Sequence, residues 1–482
     1  MNIAMIRFVL FRAFQLIGVL LLLPLMTALI YRELNEALVF AGVAVVFFLT
    51  GLLGAWKKPE NRVFYAREGF VMTALIWMLI SAAGAVPFVL TGTIPSFTDA
   101  FFETSSGFTT TGATILTTVS GMAKSVQFWR CFTHWIGGMG VLVFMLAVLP
   151  LTGGSTMHLM RAESPGPSVG KFVPRVKNTA KNLYLIYVGI TAAEVVLLMI
   201  TGLSLYEALT TTFSTVGTGG FGIYDVSANA FPFASQVVIT LFMTLCGINF
   251  SVYYFLVTKR PGEALKCEEA RWYLIIMFGA AAFITAGLMR HGMEQSTGEA
   301  FHHALFTVSS VMTTTGFATR DFNLWPQYIR TLLFLLMLMG ACAGSTGGGF
   351  KISRFIIVVR RLKNEMIFST HQKSIRQVRM DDRRVEQTTV KAVMTYVAIY
   401  SAVYLASFFL ISLDGFDFET NMTAVAATLN NVGPGLSMVG PVGNYSAYSA
   451  FSKWVLSFDM LAGRLELLPM LMVFRPQTWR GR

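Results

Sequence analysis

About ten stretches of this chain stay apolar for close to the length a helix needs to cross roughly 30 Å of hydrocarbon, about twenty residues. They are Phe14 to Ile30, Leu38 to Trp56, Phe70 to Leu90, Phe128 to Leu149, Leu183 to Leu203, Val237 to Val257, Trp272 to Met289, Ile329 to Met339 and beyond, Ala392 to Leu413, and Trp454 to Phe474. With 54% of its 482 residues hydrophobic and only 13% charged, the chain is too apolar for a soluble protein of this size. The pattern predicts an all-α, polytopic membrane protein.

The first run follows Arg7 and Arg12, as a signal peptide would. It is long and lacks a small-x-small cleavage pattern before Tyr31, so it reads as a retained span. A net charge of +12 would suit a nucleic-acid partner, but its distribution fits a membrane. With a cytoplasmic N-terminus and alternating spans, 29 of the 37 Lys and Arg fall on one side. That side includes Lys57 to Arg67, Arg161 to Lys181, Lys259 to Arg271, the eleven basic residues from Lys351 to Lys391, and Arg475, Arg480 and Arg482. By the positive-inside rule it is cytoplasmic. Cys131, Cys246, Cys267 and Cys342 stand apart without a CxxC pair, which suits packing residues and neither a zinc site nor a disulfide framework.

Between the apolar runs the chain repeats a short phrase. "SSGFTTTGAT" at Ser105 to Thr114 returns 204 residues later as "SSVMTTTGFA" at Ser309 to Ala318. Midway stands "FSTVGTGGFG" at Phe213 to Gly222, and one interval beyond stands "TLNNVGPGL" at Thr428 to Leu436. Aligned on Gly112, Gly220, Gly316 and Gly433, the copies lie 108, 96 and 117 residues apart, an internal period near one hundred. An alanine stands twelve residues before each of the first three glycines, and Asn421 takes its place in the fourth. Ser96-x-x-Asp99 and Ser204-x-x-Glu207 carry the pattern of a helix start. A helix of roughly twelve residues is about 18 Å long, too short to span, so each dips in and returns.

Each unit therefore reads as long span, half-helix, Thr/Gly-rich stretch, long span. Irregular backbone at membrane depth is tolerated only where protein buries it or it lines a wet cavity, and four such stretches can share one axis. Glycine and small threonines let carbonyl oxygens turn inward to replace the water around a cation. Half-helix C-termini, each with about half a negative charge, favour that cation. The alternative, small residues mediating close helix contacts, suits one phrase far better than four in phase behind short helices.

These four phrases resemble the filter sequences of the Trk, Ktr and HKT potassium transporter superfamily, in which one chain carries four span-pore-span repeats around one path. The resemblance covers nearly the whole chain and is greatest to its bacterial TrkH branch, which has two extra spans at the start. It implies two N-terminal spans at 1–66 and pore repeats at 67–181, 182–270, 271–387 and 388–482. It also implies a filter of Thr110, Thr111 and Gly112; Thr218, Gly219 and Gly220; Thr314, Thr315 and Gly316; and Asn431, Val432 and Gly433. The fourth copy departs most, with Asn431 and Val432 where others have Thr, and with Pro434 fixing the chain direction after the glycine.

Two further features stand out. "GACAGSTGGGFK", Gly340 to Lys351, breaks the eighth run with five glycines, each costing about 1 kcal/mol in a helix relative to Ala. It is not a phosphate loop, because Phe350 separates the last glycine from Lys351 and no βαβ context surrounds it. The last run contains Arg464 about halfway to two-thirds along, where a charge costs about 2.5–3.5 kcal/mol and so faces protein or water. It either pairs with Glu466 or snorkels to the cytoplasm, or it stands in the cavity below the filter as a barrier. From the residues alone the glycine-rich stretch is either a flexible connector or the lining of a cavity; the resemblance favours the barrier for Arg464 and implies a mobile gate at Gly344, Ser345, Thr346, Gly347, Gly348 and Gly349.

His302 and His303 lack a ligand partner at metal spacing and read as packing residues. Asp99 and Glu207 read as caps that also concentrate cations at the outer mouth. The resemblance implies potassium as the transported and filter-bound ion, a homodimer in the bacterial inner membrane, and a TrkA-type ring of nucleotide-binding subunits on the basic 351–391 segment. This chain itself carries no nucleotide motif. A secondary transporter of another monovalent cation or small solute is the competing class, but it calls for inverted repeats, and these run in one sense. An enzyme would need a clustered His, Cys or Ser constellation, which the sequence does not offer.

Overall fold

The structure, a computed structural model, describes residues 1–60, 65–140, 176–371 and 376–479. The far end of the predicted Phe128 to Leu149 span, and the basic residues Arg62, Arg161, Lys171, Arg175, Lys373, Arg480 and Arg482, lie outside the described residues.

α1 (Ile3–Leu20) and α2 (Leu22–Tyr31) form one long rod, and α3 (Leu34–Gly54) returns beside it. Gly51 brings α1 and α3 into close contact, since a Cβ there would stand 2.6 Å from the Phe11 carbonyl oxygen. Then one order of elements recurs four times. It is α4 (Ala66–Leu90), α5 (Phe97–Phe108) and α6 (Lys124–Gly138); then α7 (Val176–Ile200), α8 (Leu205–Val216), α9 (Phe233–Cys246) and α10 (Phe250–Val257). The third set is α11 (Glu268–Arg290), α12 (Thr297–Met312), α13 (Gln327–Met339) and α14 (Ile352–Thr370). The fourth is α15 (Gln387–Ile411), α16 (Phe418–Leu429), α17 (Ala450–Arg464) and α18 (Leu468–Phe474). A hairpin of β1 (Arg379–Met380) and β2 (Arg383–Arg384) precedes α15. Among the described residues, six helices are long and apolar enough to cross a membrane, or seven if the bent pair α9 and α10 counts as one.

The half-helices α5, α8, α12 and α16 have 12, 12, 16 and 12 residues. Each starts at a side chain that accepts the N–H three residues on: Ser96, Ser204, Ser296 and Asp417. Such a cap contributes about 1 kcal/mol. The third helix is one turn longer, which moves its cap out of phase with the filter glycine. From Ala100 to Phe108 every residue of α5 is buried, so the short helix is sheathed by protein and its polar Glu103, Thr104, Ser105 and Ser106 never meet lipid.

Two predicted spans are not continuous. Val237 to Val257 breaks between α9 and α10 with a bend of 91°. A Cβ on Gly247 at this break would lie 2.5 Å from the Tyr273 hydroxyl and 2.7 Å from Thr313, so the chain turns where it presses on the end of α12. Trp454 to Phe474 breaks after Arg464, where Glu466 and Leu467 take positive φ of 58° and 65° and the Leu467 N–H closes the helix onto Ala462 at 2.7 Å. Arg464 therefore ends a helix; it does not sit inside one. As predicted, the eighth run stops at Met339 and gives way to the glycine-rich loop.

Candidate permeation site

Each half-helix ends in the same way. Thr111, Gly219, Thr315 and Val432 donate their N–H to the carbonyls of Ser106, Ser214, Ser310 and Ala427, each at 2.8 Å. This is a Schellman-type ending, with the preceding residue in the left-handed region: Thr110, Thr218, Thr314 and Asn431 have φ of 56°, 54°, 58° and 55°. Glycine usually takes that place, and a residue with a Cβ costs about 1–2 kcal/mol there, yet three copies use Thr. Two residues on, Gly112, Gly220, Gly316 and Gly433 return to positive φ of 81°, 78°, 85° and 93°. Two reversals in three residues set the chain off in a new direction.

These glycines close a ring. A Cβ on Gly433 would stand 2.5 Å from the carbonyl oxygen of Thr111. On Gly112, Gly220 and Gly316 it would come closer still, to the carbonyl oxygens of Gly219, Thr315 and Val432 in turn. Each of the four segments thus presents the carbonyl before its glycine to the glycine of a neighbouring segment, and the fourth returns to the first. All twelve predicted filter residues are brought together. Gly112, Gly220 and Gly316 keep partial exposure while the Thr and Asn residues beside them are fully buried.

The glycine-rich loop lies directly beneath. A Cβ on Gly347 would be 2.8 Å from the Thr313 carbonyl oxygen, and one on Gly348 would be 2.6 Å from that of Asn430. Gly348 N–H donates to the Thr314 hydroxyl at 2.7 Å. Gly344 accepts from Phe250 N–H at 2.9 Å and has φ of 71°. The Ser345 hydroxyl donates to Cys342, and Thr346 leans on the Cys246 carbonyl at the α9–α10 break. Gly349 packs against Gly340, which closes the loop at its neck. The Arg464 guanidinium donates to Thr346 at 2.7 Å and to the last carbonyls of α6, Gly137 at 2.6 Å and Gly138 at 3.1 Å. Glu466 pairs with Arg354 of α14.

A profile of the TrkH family, described as "Cation transport protein", matches residues 36–285 and 271–480. The chain belongs to the TrkH family. It is 33% identical over 465 residues to the Trk system potassium uptake protein TrkH of Escherichia coli K12, covering 95% of this chain and 96% of that one. It is 34% identical over 478 residues to the Trk system potassium uptake protein TrkH of Vibrio parahaemolyticus, covering 97% of each. The crystal structure of the potassium transporter TrkH from Vibrio parahaemolyticus matches over all of both chains, with a TM-score of 0.89 at 30% identity.

In this TrkH family member the four copies differ for reasons visible in their surroundings. The second has Gly217 and Gly219 where the first and third have Thr because α6 presses in. A Cβ on Gly217 would lie 2.5 Å from the His134 carbonyl oxygen, and one on Gly219 would enter the His134 imidazole. That ring stacks on Phe221 with centroids 4.2 Å apart and reaches the Ser214 hydroxyl at 3.3 Å. In the fourth copy, Asn431 donates to the Thr111 hydroxyl and the Met460 carbonyl, each at 2.9 Å, which ties repeat four to repeat one. The Tyr445 hydroxyl donates to the Gly433 carbonyl at 2.8 Å, so the fourth strand is held from behind.

Sequence reasoning missed a buried ion pair behind the ring. Arg130 Nε meets Glu103 Oε1 at 2.6 Å, with both side chains within 3% of full burial. Glu103 also accepts from the Thr114 hydroxyl and Ile115 N–H, while Arg130 donates to the Gly222 carbonyl and lies 3.5 Å over the Phe221 ring. The pair splices the segment after α5 to the segment after α8. Removing one partner of such a pair costs about 3–5 kcal/mol, whereas a well-packed apolar replacement of both costs far less. Glu103→Leu is therefore expected to lower the unfolding temperature in detergent strongly, and Glu103→Leu with Arg130→Met to recover most of the loss. A double variant as unstable as the single one contradicts this.

The two predicted acidic caps have different partners. Ser96 caps α5 at Asp99, but the Asp99 carboxylate pairs with Lys453 at 2.6 Å, which cancels its field. Glu207 completes a capping box with Ser204. Burial raises the Asp225 carboxyl, but N–H donation from Val119 and Ser120 and the Ser120 hydroxyl hold it below its ordinary value. His302 and His303 bond to Gln236 and Thr319 at 2.8 and 2.9 Å, as packing residues do. Cys131, Cys246 and Cys342 are buried free thiols, and Cys267 is half-buried.

Proposed function

We propose that this chain is the ion-translocating subunit of a potassium uptake system in the bacterial inner membrane. The observation that carries this reading is the closed ring in which each filter glycine receives the neighbouring strand's carbonyl. Main-chain oxygens fixed in that way replace a cation's water without side-chain charge. Potassium sheds water at Thr110 to Gly112, Thr218 to Gly220, Thr314 to Gly316 and Asn431 to Gly433, then meets the 344–349 loop and Arg464, which together act as the gate. The repeats run 67–181, 182–270, 271–387 and 388–482 behind two extra spans at 1–66. Two copies pair, and a TrkA-type ring of nucleotide-binding subunits docks on the basic 351–391 segment. Permeation is not catalysis, and no covalent step is involved.

The test is rubidium uptake by purified protein in liposomes. External potassium is expected to compete with rubidium and sodium is not, with or without an imposed proton gradient. Uptake that sodium suppresses as well as potassium overturns the potassium reading.

A further inference from the structure

The glycine-rich loop leaves α13 and returns into α14, and both of its ends meet one carboxylate oxygen. Oε1 of Glu269 accepts the N–H of Ala343 at 2.7 Å and the N–H of Ser353 at 3.0 Å. Glu269 is only 4% exposed and lies in the first turn of α11, a different element from either end of the loop. Residues 344–352 form a hoop whose neck is this oxygen, reinforced by the Ile352 N–H to Ala341 carbonyl bond at 3.1 Å. Inside the hoop the Lys351 ammonium donates to the Gly347 carbonyl, so the segment against the filter is also held from within.

The direction in which Glu269 points is itself fixed. Its neighbour Glu268 takes both terminal nitrogens of Arg360 from α14 and the N–H of Asp381 from the hairpin, while its own N–H donates to Asp381 at 2.7 Å. The first turn of α11 is thereby pinned to the cytoplasmic elements. A hydrogen bond to a charged oxygen is roughly twice as strong as one to a neutral oxygen. Two of them converging on one atom make the closed neck depend on this side chain.

We propose that Glu269 is the positioning residue of the intramembrane loop and holds it closed beneath the filter. This rests on the gating reading above. It assigns the closed state to one side chain outside the loop, which neither the glycine pattern nor the family resemblance picks out.

The test is basal rubidium efflux from liposomes, with each variant checked for wild-type elution and unfolding temperature. Glu269→Gln keeps shape and an acceptor oxygen but loses the charge, and is expected to raise basal efflux several-fold; Glu269→Ala is expected to raise it about tenfold or more. In a Cys267→Ser background, Ser345→Cys is expected to react faster with a membrane-impermeant thiol reagent from the cytoplasmic side when Glu269 is changed. A merely structural role would not move that rate. Deletion of residues 343–348 separates the two ideas. If the deletion leaks but folded Glu269→Gln and Glu269→Ala retain wild-type efflux and thiol reactivity, the Glu269 assignment is overturned and the gate stands. If the deletion does not leak, both are overturned.

Discussion

Gly220→Ala will leave a folded protein that no longer separates potassium from sodium. The new methyl group would fall on the Thr315 carbonyl oxygen, and Gly316→Ser would put its Cβ on the Val432 carbonyl oxygen and 2.8 Å from Pro434. Neither neighbour can yield cheaply, because each belongs to backbone held by a 2.8 Å bond to its own half-helix. The ring oxygen must rotate away. Alanine at positive φ adds about 1–2 kcal/mol of strain wherever it occurs. Gly92 supplies the control, since it has φ of 73° and open space around its Cβ position. Gly92→Ala therefore carries the strain alone and is expected to keep selectivity. In liposome flux, Gly220→Ala and Gly316→Ser should reduce the potassium-to-sodium ratio about ten- to a hundredfold, the effect of shifting relative binding by about 1.4–2.8 kcal/mol. A wild-type ratio in either variant removes that repeat from the filter.

The four glycine-centred segments were legible in the sequence because their conformation is chemically demanding. A positive φ pressed against a neighbouring carbonyl leaves glycine as the residue that fits, so all four positions carry it and the period appears at once. The capping residues were only half legible. Ser96 and Ser204 stand sixteen residues before their glycines, but the extra turn of α12 sets Ser296 twenty before Gly316, where an alignment on the glycines does not look. The breaks after Cys246 and Arg464 were hidden for another reason. One glycine in an apolar run costs about 1 kcal/mol and is usually absorbed, so Gly247 carried no warning. Glu466 and Leu467 are ordinary helix residues in sequence, and their left-handed geometry is imposed by packing. The contacts Glu103–Arg130, Arg130–Gly222, His134–Phe221 and Glu269 with Ala343 and Ser353 act across gaps of 27 to 92 residues, over which no local spacing rule reaches.

Arg464→Ala will raise basal cation flux, and the size of the rise tests whether charge or architecture matters more. A monovalent cation passing roughly 7 Å from a guanidinium at an effective dielectric of about 20 meets about 2.4 kcal/mol of repulsion. At about 1.4 kcal/mol per decade, losing that barrier accelerates passage by up to about fiftyfold. The same side chain neutralises the carbonyl end of α6 through Gly137 and Gly138, and it holds Thr346 in the loop. Its removal therefore also bares a helix C-terminus with about half a negative charge, which would attract a passing cation. Arg464→Lys divides these contributions: it keeps the positive charge but loses the planar fork that reaches α6 and the loop at once. Flux that rises strongly in Arg464→Ala and little in Arg464→Lys assigns the barrier to charge. Equal rises assign it to the bridge between α6 and Thr346. Flux unchanged in a folded Arg464→Ala protein, measured as rubidium efflux from liposomes, removes Arg464 from the gate altogether.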